Sequence, residues 1–222
     1  MIGDERDPGL IPRAVTKLFE AKRDIENSGH SLVVNIQVAI LEIYNEKLRD
    51  LLADDHGQLL KFKLGSNKAV GNIKVNAHEE REVEGILQLA QERRCVKATK
   101  VNAESSRSHL LFTLHFDISL INDDTNEAMK SGCLHIIDLA GSERLDKSGS
   151  HGTLLTEAID INTSLSALTL VIEKIQDKKS EHIPFRNSML TYLLRNSLGG
   201  DSTAAGSMLR RREYHRLAVA PS

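Results

Sequence analysis

The chain has 222 residues, enough for one large domain, and its 29 basic and 31 acidic residues leave a net charge of −2. That balance excludes a whole-chain basic field of the kind that gathers nucleic acid, although local basic patches can still meet an acidic partner. No apolar run approaches the roughly 20 residues of a membrane-spanning helix and no signal-like start is present, so a soluble, cytosolic chain with no nucleic-acid or membrane partner is expected.

Met1 to Pro8 is polar and reads as a loop. Pro8-Gly9-Leu10-Ile11-Pro12-Arg13 opens a helix with Ala14, Val15, Leu18 and Phe19 on one face, fading over Lys22 to Ser28. Leu32 to Ile43 is a strand, because Val34, Ile36, Val38 and Ile40 recur at period two. The continuation to Leu52 is expected to turn into a short helical segment with Tyr44, Leu48, Leu51 and Leu52 inward. Residues 53 to 80 read as short strands and loops, with Leu60, Phe62 and Leu64 alternating and Gly65 and Gly71 as breaks. From Glu80 to Thr99 the spacing of Val83, Ile86, Leu87, Ala90 and Val96 is helical. Arg93, Arg94, Lys97 and Lys100 gather near its end, where cations suit solvent and the helix dipole.

His109 to Leu120 is a half-buried strand, with Phe112, Leu114, Phe116, Ile118 and Leu120 alternating against Thr113, His115, Asp117 and Ser119. Asn122 to Asn126 breaks the chain before a further strand that ends at Asp138. Cys95 and Cys133 sit inside these helix and strand patterns and read as small buried hydrophobes. Lys147 to Thr153 is a Ser/Gly-rich loop, followed by a long helix with Leu155, Ala158, Ile159, Leu165, Leu168, Ile172 and Ile175 inward. A polar turn, Asp177 to Glu181, leads through His182-Ile183-Pro184-Phe185-Arg186 to a second helix. That helix carries Leu190, Leu193, Leu194 and Leu198 and closes at Gly199-Gly200. From Thr203 the chain has no apolar period, and a disordered tail is expected.

The chemistry concentrates in Leu134-His135-Ile136-Ile137-Asp138-Leu139-Ala140-Gly141-Ser142-Glu143-Arg144. An apolar strand delivers a carboxylate at its C-terminal end and turns at once, and open α/β sheets hold ligands outside the carboxyl ends of their strands. Asp138 could hold a hydrated cation there, and Gly141 lets a backbone N–H approach a phosphate that a side chain would obstruct. Alone, such a pattern is more often a buried strand ending in a turn. The second stretch, Asn102-Ala103-Glu104-Ser105-Ser106-Arg107-Ser108-His109, reverses that preference. Together the two resemble the switch II (D-L-A-G-S-E-R) and switch I (N-x-x-S-S-R-S-H) signatures of kinesin motor domains. The likeness runs from about Gly9 to Ser202 and includes Gly9-Leu10-Ile11-Pro12-Arg13-Ala14-Val15 and the Leu41 to Leu52 stretch. Arg144-Leu145-Asp146 and Phe185-Arg186-Asn187-Ser188 lean towards the C-terminal-motor, kinesin-14 branch.

The resemblance implies an α/β fold, a twisted mixed sheet with helices on both faces. It would be a P-loop NTPase-like motor core incomplete at both ends, with residues 1–202 a partial motor domain and 203–222 a divergent tail. It implies ATP-driven movement on microtubules, with ATP and Mg²⁺ as cofactors and a cytoplasmic, cytoskeletal location, the spindle included. By resemblance, Ser105 and Ser106 supply hydroxyls to the γ-phosphate and, for Ser106, to the magnesium. Asp138 holds that metal through water and the Gly141 N–H meets the γ-phosphate. Arg107 and Glu143 form the ion pair that closes the switches, and Asn102 helps to place the attacking water. Lys147, His182 and Arg186 match positions that face the acidic microtubule surface, whereas Thr163, Thr169 and Met189 depart from the family's pattern. A dimer partner or a complementing chain is a further candidate partner.

No Gly-x-x-x-x-Gly-Lys-[Ser/Thr] loop occurs in the sequence, and the chain is expected to start where the family's phosphate-binding loop ends. ATP turnover by this chain alone is therefore expected to be crippled. A nucleotide-independent microtubule-binding or regulatory module, and an inactive truncated product, stand as alternatives. The strand that leads into the missing loop should flank Leu134 to Asp138, so that segment is expected to be left as an uncovered edge.

Overall fold

The computed structural model describes residues 1–4, 6–55, 59–62, 69–96, 107–121, 128–141, 153–177, 180, 182–199 and 216–219. The centre is a long antiparallel pair, β1 (Leu32–Tyr44) with β6 (His109–Leu120), in register from Leu32 opposite Leu120 to Ile43 opposite His109. β7 (Lys130–Asp138) pairs with the other side of β6. On the far side of β1 lie β2 (Lys47–Asp50) and β5 (Val75–Ala77), while β3 (Lys61–Phe62) and β4 (Ala69–Val70) form a separate two-stranded sheet. The main sheet runs β2-β1-β6-β7-β8, where β8 is Arg216–Val219.

Period-two patterning explains the layers. Val34, Ile36, Val38 and Ile40 of β1, Leu110, Phe112 and Leu114 of β6 and Ile136 of β7 share one face. Against them pack Ile11, Val15 and Phe19 of α1 (Leu10–Glu26) and Val83, Leu87 and Ala90 of α2 (Glu80–Val96). The intervening residues Leu41, Ile43, Leu111 and Ile137 point the other way, onto Leu168 of α3 (Thr153–Gln176) and Leu190 of α4 (Met189–Leu193). Both faces of the sheet are thus covered, and each fully buried Ile, Leu or Phe contributes about 1.5–3 kcal/mol. No helix among the described residues is long and apolar enough to cross a membrane.

The fold class is the α/β sheet with helices on both faces that the sequence implied, and four details differ. Every pairing in the main sheet is antiparallel among the described residues, where a mixed sheet was expected. The segment after Tyr44 is a β-hairpin rather than a helical turn. Asn45 and Glu46 both take positive φ (52° and 53°), the two-residue geometry whose twist matches the flanking strands, and Tyr44 faces Lys47. The helix after Arg186 is two short pieces, α4 and α5 (Arg195–Gly199), meeting at Leu194 with φ −84° and ψ 0°. Finally, residues 216–219 of the tail form β8 and pair with His135–Asp138, so the flank of β7 expected to be bare has backbone partners. The Asn122–Asn126 break, residues 147–152 of the Ser/Gly-rich loop and the rest of the tail lie outside the described residues.

Candidate functional site

Leu110 stands opposite Asp138, so the start of β6 and the end of β7 lie side by side at one end of the sheet. Asp138 and Gly141 are half-buried there, and half-buried Arg107 precedes β6 by one residue, Ser108. Arg107 to His109 of one signature and Asp138 to Gly141 of the other are therefore carried to one place. Asn102, Ser105, Ser106, Glu143 and Lys147 lie outside the described residues, and with them the Arg107–Glu143 pair.

Two buried polar arrangements hold this end of the sheet, and sequence reasoning gave neither a role. The first centres on His109, 3% exposed. The backbone N–H of Ala140 donates to its Nδ1 at 3.0 Å, so the ring proton resides on Nε2, which lies 2.8 Å from the Ser164 hydroxyl of α3. Burial, and secondarily the nearby Arg94 guanidinium, lowers the His109 pKa from 6.5 to about 4. The unfolded chain takes up this proton near pH 6.5 while the folded state refuses it until about 4. Stability from this group is complete above pH 6.5 and is lost as pH falls towards 4, by about 3 kcal/mol in all. Urea denaturation midpoints of wild type and His109→Asn between pH 7 and 4 check this. Wild type should show the steeper acid loss, and parallel curves would refute the assignment.

The second arrangement is an ion cluster behind the first. Glu42 of β1, 3% exposed, accepts from the Ser108 hydroxyl at 2.7 Å and from Arg94 Nε at 3.3 Å. Arg94 Nη2 also donates to the Ser108 carbonyl and hydroxyl, both at 2.9 Å, and Arg49 Nη1 lies 3.7 Å from the other Glu42 oxygen. Arg93 donates to the Leu51 and Ala53 carbonyls at 2.8 and 2.9 Å. The expectation that Arg93 and Arg94 serve only dipole and solvent is thus corrected, because both reach across to the sheet side. Lys97 and Lys100 lie outside the described residues. The physical signal was the run of polar groups at otherwise apolar positions of buried strands, such as Glu42 between Leu41 and Ile43.

The remaining described candidates are His182 and Arg186. His182 is exposed, and exposed Arg186 lies in a single 3₁₀ turn, Phe185–Asn187. The start of α4 fixes that turn: Ser188 Oγ accepts from Thr191 N at 3.1 Å, and the Thr191 hydroxyl donates to the Phe185 carbonyl at 2.8 Å. Glu46 at the hairpin tip accepts from Met189 N at 2.5 Å, which ties the hairpin to α4. Gly199 admits the Phe185 ring, since a Cβ there would lie 2.7 Å from its Cζ.

Comparison with known proteins agrees with this geometry. A sequence model described as Kinesin motor domain matches residues 1–208. Kinesin-like protein KIN-14G of Oryza sativa subsp. japonica is 44% identical over 204 residues, covering 87% of this chain and 27% of that protein. The solved structure of a fast kinesin superposes with a TM-score of 0.74 at 38% identity, covering 90% of this chain and 55% of that one. A KIF14 dimer in complex with a microtubule, with AMP-PNP, gives 0.73 at 32% identity over 91% and 59%. The chain belongs to the kinesin motor-domain family, and kinesin-14 proteins stand among its relatives. It spans about a quarter of the length of the curated relatives it matches.

Proposed function

We propose that this chain is the switch-bearing and track-facing part of a kinesin motor, of a lineage that couples ATP binding and hydrolysis to microtubule binding and movement. The observation that supports it is the β6–β7 register, which sets the segment leading out of the switch I signature beside Asp138 and Gly141 of the switch II signature. Residues 1–202 act as a partial motor domain and 203–222 as a divergent tail.

The donor set fits Mg²⁺, which keeps several waters and takes one or two carboxylates with substrate phosphates. Asp138 is such a carboxylate, and the described residues hold no cluster of three or more His, Cys, Asp or Glu that would favour an all-protein cage. Bound ATP with Mg²⁺ would supply the γ-phosphate whose presence the switches register. Toward it Ser105 and Ser106 present hydroxyls, Ser106 to the metal, and Gly141 presents its N–H. Asn102 orients water, and Arg107 with Glu143 closes the two segments together. The sequence lacks the glycine-lysine loop, so turnover by the 222-residue chain alone is crippled.

Lys147, His182 and Arg186 meet the acidic microtubule surface, which places the protein on the cytoskeleton in the cytoplasm or spindle. A dimer partner or a complementing chain is a further partner in this reading. A second reading, a nucleotide-independent microtubule-binding module, is favoured by β8, which pairs along the flank of β7 that the resemblance assigns to the strand entering the phosphate-binding loop.

Cosedimentation with microtubules at two ionic strengths tests the partner. Wild type should pellet less as salt rises, and Arg186→Ala should bind about threefold more weakly at low salt, where one exposed charge counts most. Equal pelleting of the two proteins at both salts would count against Arg186.

A further inference from the structure

The imidazole of His109 joins three segments that are remote in sequence: the start of β6, the turn after β7 at Ala140, 31 residues on, and α3 at Ser164, 55 residues on. Its two ring nitrogens face opposite demands. One must accept from a backbone N–H and the other must donate to a hydroxyl, and a neutral imidazole meets both at once. Ser164 and Ala140 are each 1% exposed, which leaves no bulk water beside them to replace either bond. A buried donor or acceptor without its partner costs more than the bond itself returns, so the three groups are held together or not at all.

The base of the ring is pinned. Ser108, the preceding residue, is held by Glu42 of β1 and by Arg94 of α2, which packs on the sheet. The far end of the tie is on a helix with two faces: Ala167 and Leu168 are buried, whereas Asn162, Thr163, Ser166, Thr169 and Leu170 are exposed. A helix loaded on its exposed side shifts largely as a unit, and Ser164 shifts with it. With β6 fixed, a displacement of Ser164 would act on the ring and, through it, on the Ala140 N–H beside Gly141.

We propose that His109 is a positioning residue that carries displacement of α3 to the Leu139–Gly141 turn, through Ser164 on one side and the Ala140 N–H on the other. This deepens the motor reading and rests on it, because that reading sets the γ-phosphate at Gly141 and the track against Arg186, whose 3₁₀ turn lies beside the exposed side of α3. His109 touches no reacting atom in this assignment. Its task is to keep the turn and the helix in step.

Amide hydrogen exchange on the full chain tests it in two arms. The first needs no microtubules. Ser164→Ala should raise exchange at the Ala140 amide about tenfold, while Val38 and Phe112 in the sheet centre keep their wild-type protection and Ser166→Ala, on the exposed side of α3, changes nothing. Unaltered Ala140 exchange in Ser164→Ala would overturn the tie. In the second arm, microtubules should alter Ala140 and Gly141 exchange in wild type but not in Ser164→Ala, although both proteins pellet. A response retained in Ser164→Ala would overturn the coupling. If Ser164→Ala fails to fold, His109→Asn takes its place, since its amide keeps an acceptor near the Nδ1 position and lacks the Nε2 arm. Failure of wild type to pellet would refute the motor reading and the coupling with it, whereas the first arm would still report on the tie.

Discussion

The purified 222-residue chain is expected to hydrolyse ATP, with microtubules present, at least about a hundredfold more slowly than a motor domain that carries a Gly-x-x-x-x-Gly-Lys loop. Phosphoryl transfer spreads negative charge over the transferred group, and proteins accelerate it mainly by placing N–H donors, a lysine and Mg²⁺ around that charge beforehand. The sequence contains no such glycine-lysine loop. Asp138 and Gly141 offer one carboxylate and one backbone N–H, and neither replaces a cation on the β- and γ-phosphates. Steady-state phosphate release checks the expectation. Several turnovers per second from this chain would refute it.

Glu42→Ala should be the most destabilising single polar change in the described part of the sheet, by about 3–5 kcal/mol. The substitution removes a buried carboxylate that Arg94, Arg49 and Ser108 all approach, so two cations held inside the fold lose that partner. The cost comes from desolvated charge that has lost a partner as well as from the attraction itself. Chemical denaturation gives the number, and exchange at Ser108 and His109 should rise in parallel because their anchor is gone. A loss below about 1 kcal/mol would place Glu42 among ordinary surface pairs and refute the burial argument.

Much of the sheet was legible from local pattern. Val34, Ile36, Val38 and Ile40 alternate because one face of β1 lies on α1 and α2, and the same rule located β6 to the residue. The hairpin at Asn45-Glu46 escaped for a physical reason. Positive φ is tolerable for Asn but uncommon for Glu, so the turn carries no strong signal, and the Leu48, Leu51 and Leu52 spacing imitates a helix. β8 escaped because Arg216–Val219 is too short to show a period, and its pairing with β7 depends on an edge some 80 residues away in the chain.

The site divides in the same way. Asp138 and Gly141 follow directly from the strand-and-turn pattern, and the resemblance supplied the rest of the switch residues. The Glu42–Arg94–Ser108 cluster was not legible, since its members are 52 and 66 residues from Glu42 and meet only through tertiary packing. Arg94 near a helix end satisfies the dipole rule equally well whether it faces water or a buried carboxylate. His109 lay inside a recognised signature, but its two partners come from elements that no local pattern connects to it.

Equilibrium titration of a fluorescent ATP analogue with Mg²⁺ into the isolated chain, with and without microtubules and with pelleting followed in the same samples, tests most directly whether the chain keeps a track-facing scaffold without a working phosphate cradle. The expected result is salt-sensitive pelleting together with nucleotide binding that does not saturate below about 1 mM in either condition. Micromolar nucleotide binding that microtubules weaken or strengthen would contradict it, as would a chain that fails to pellet at low salt.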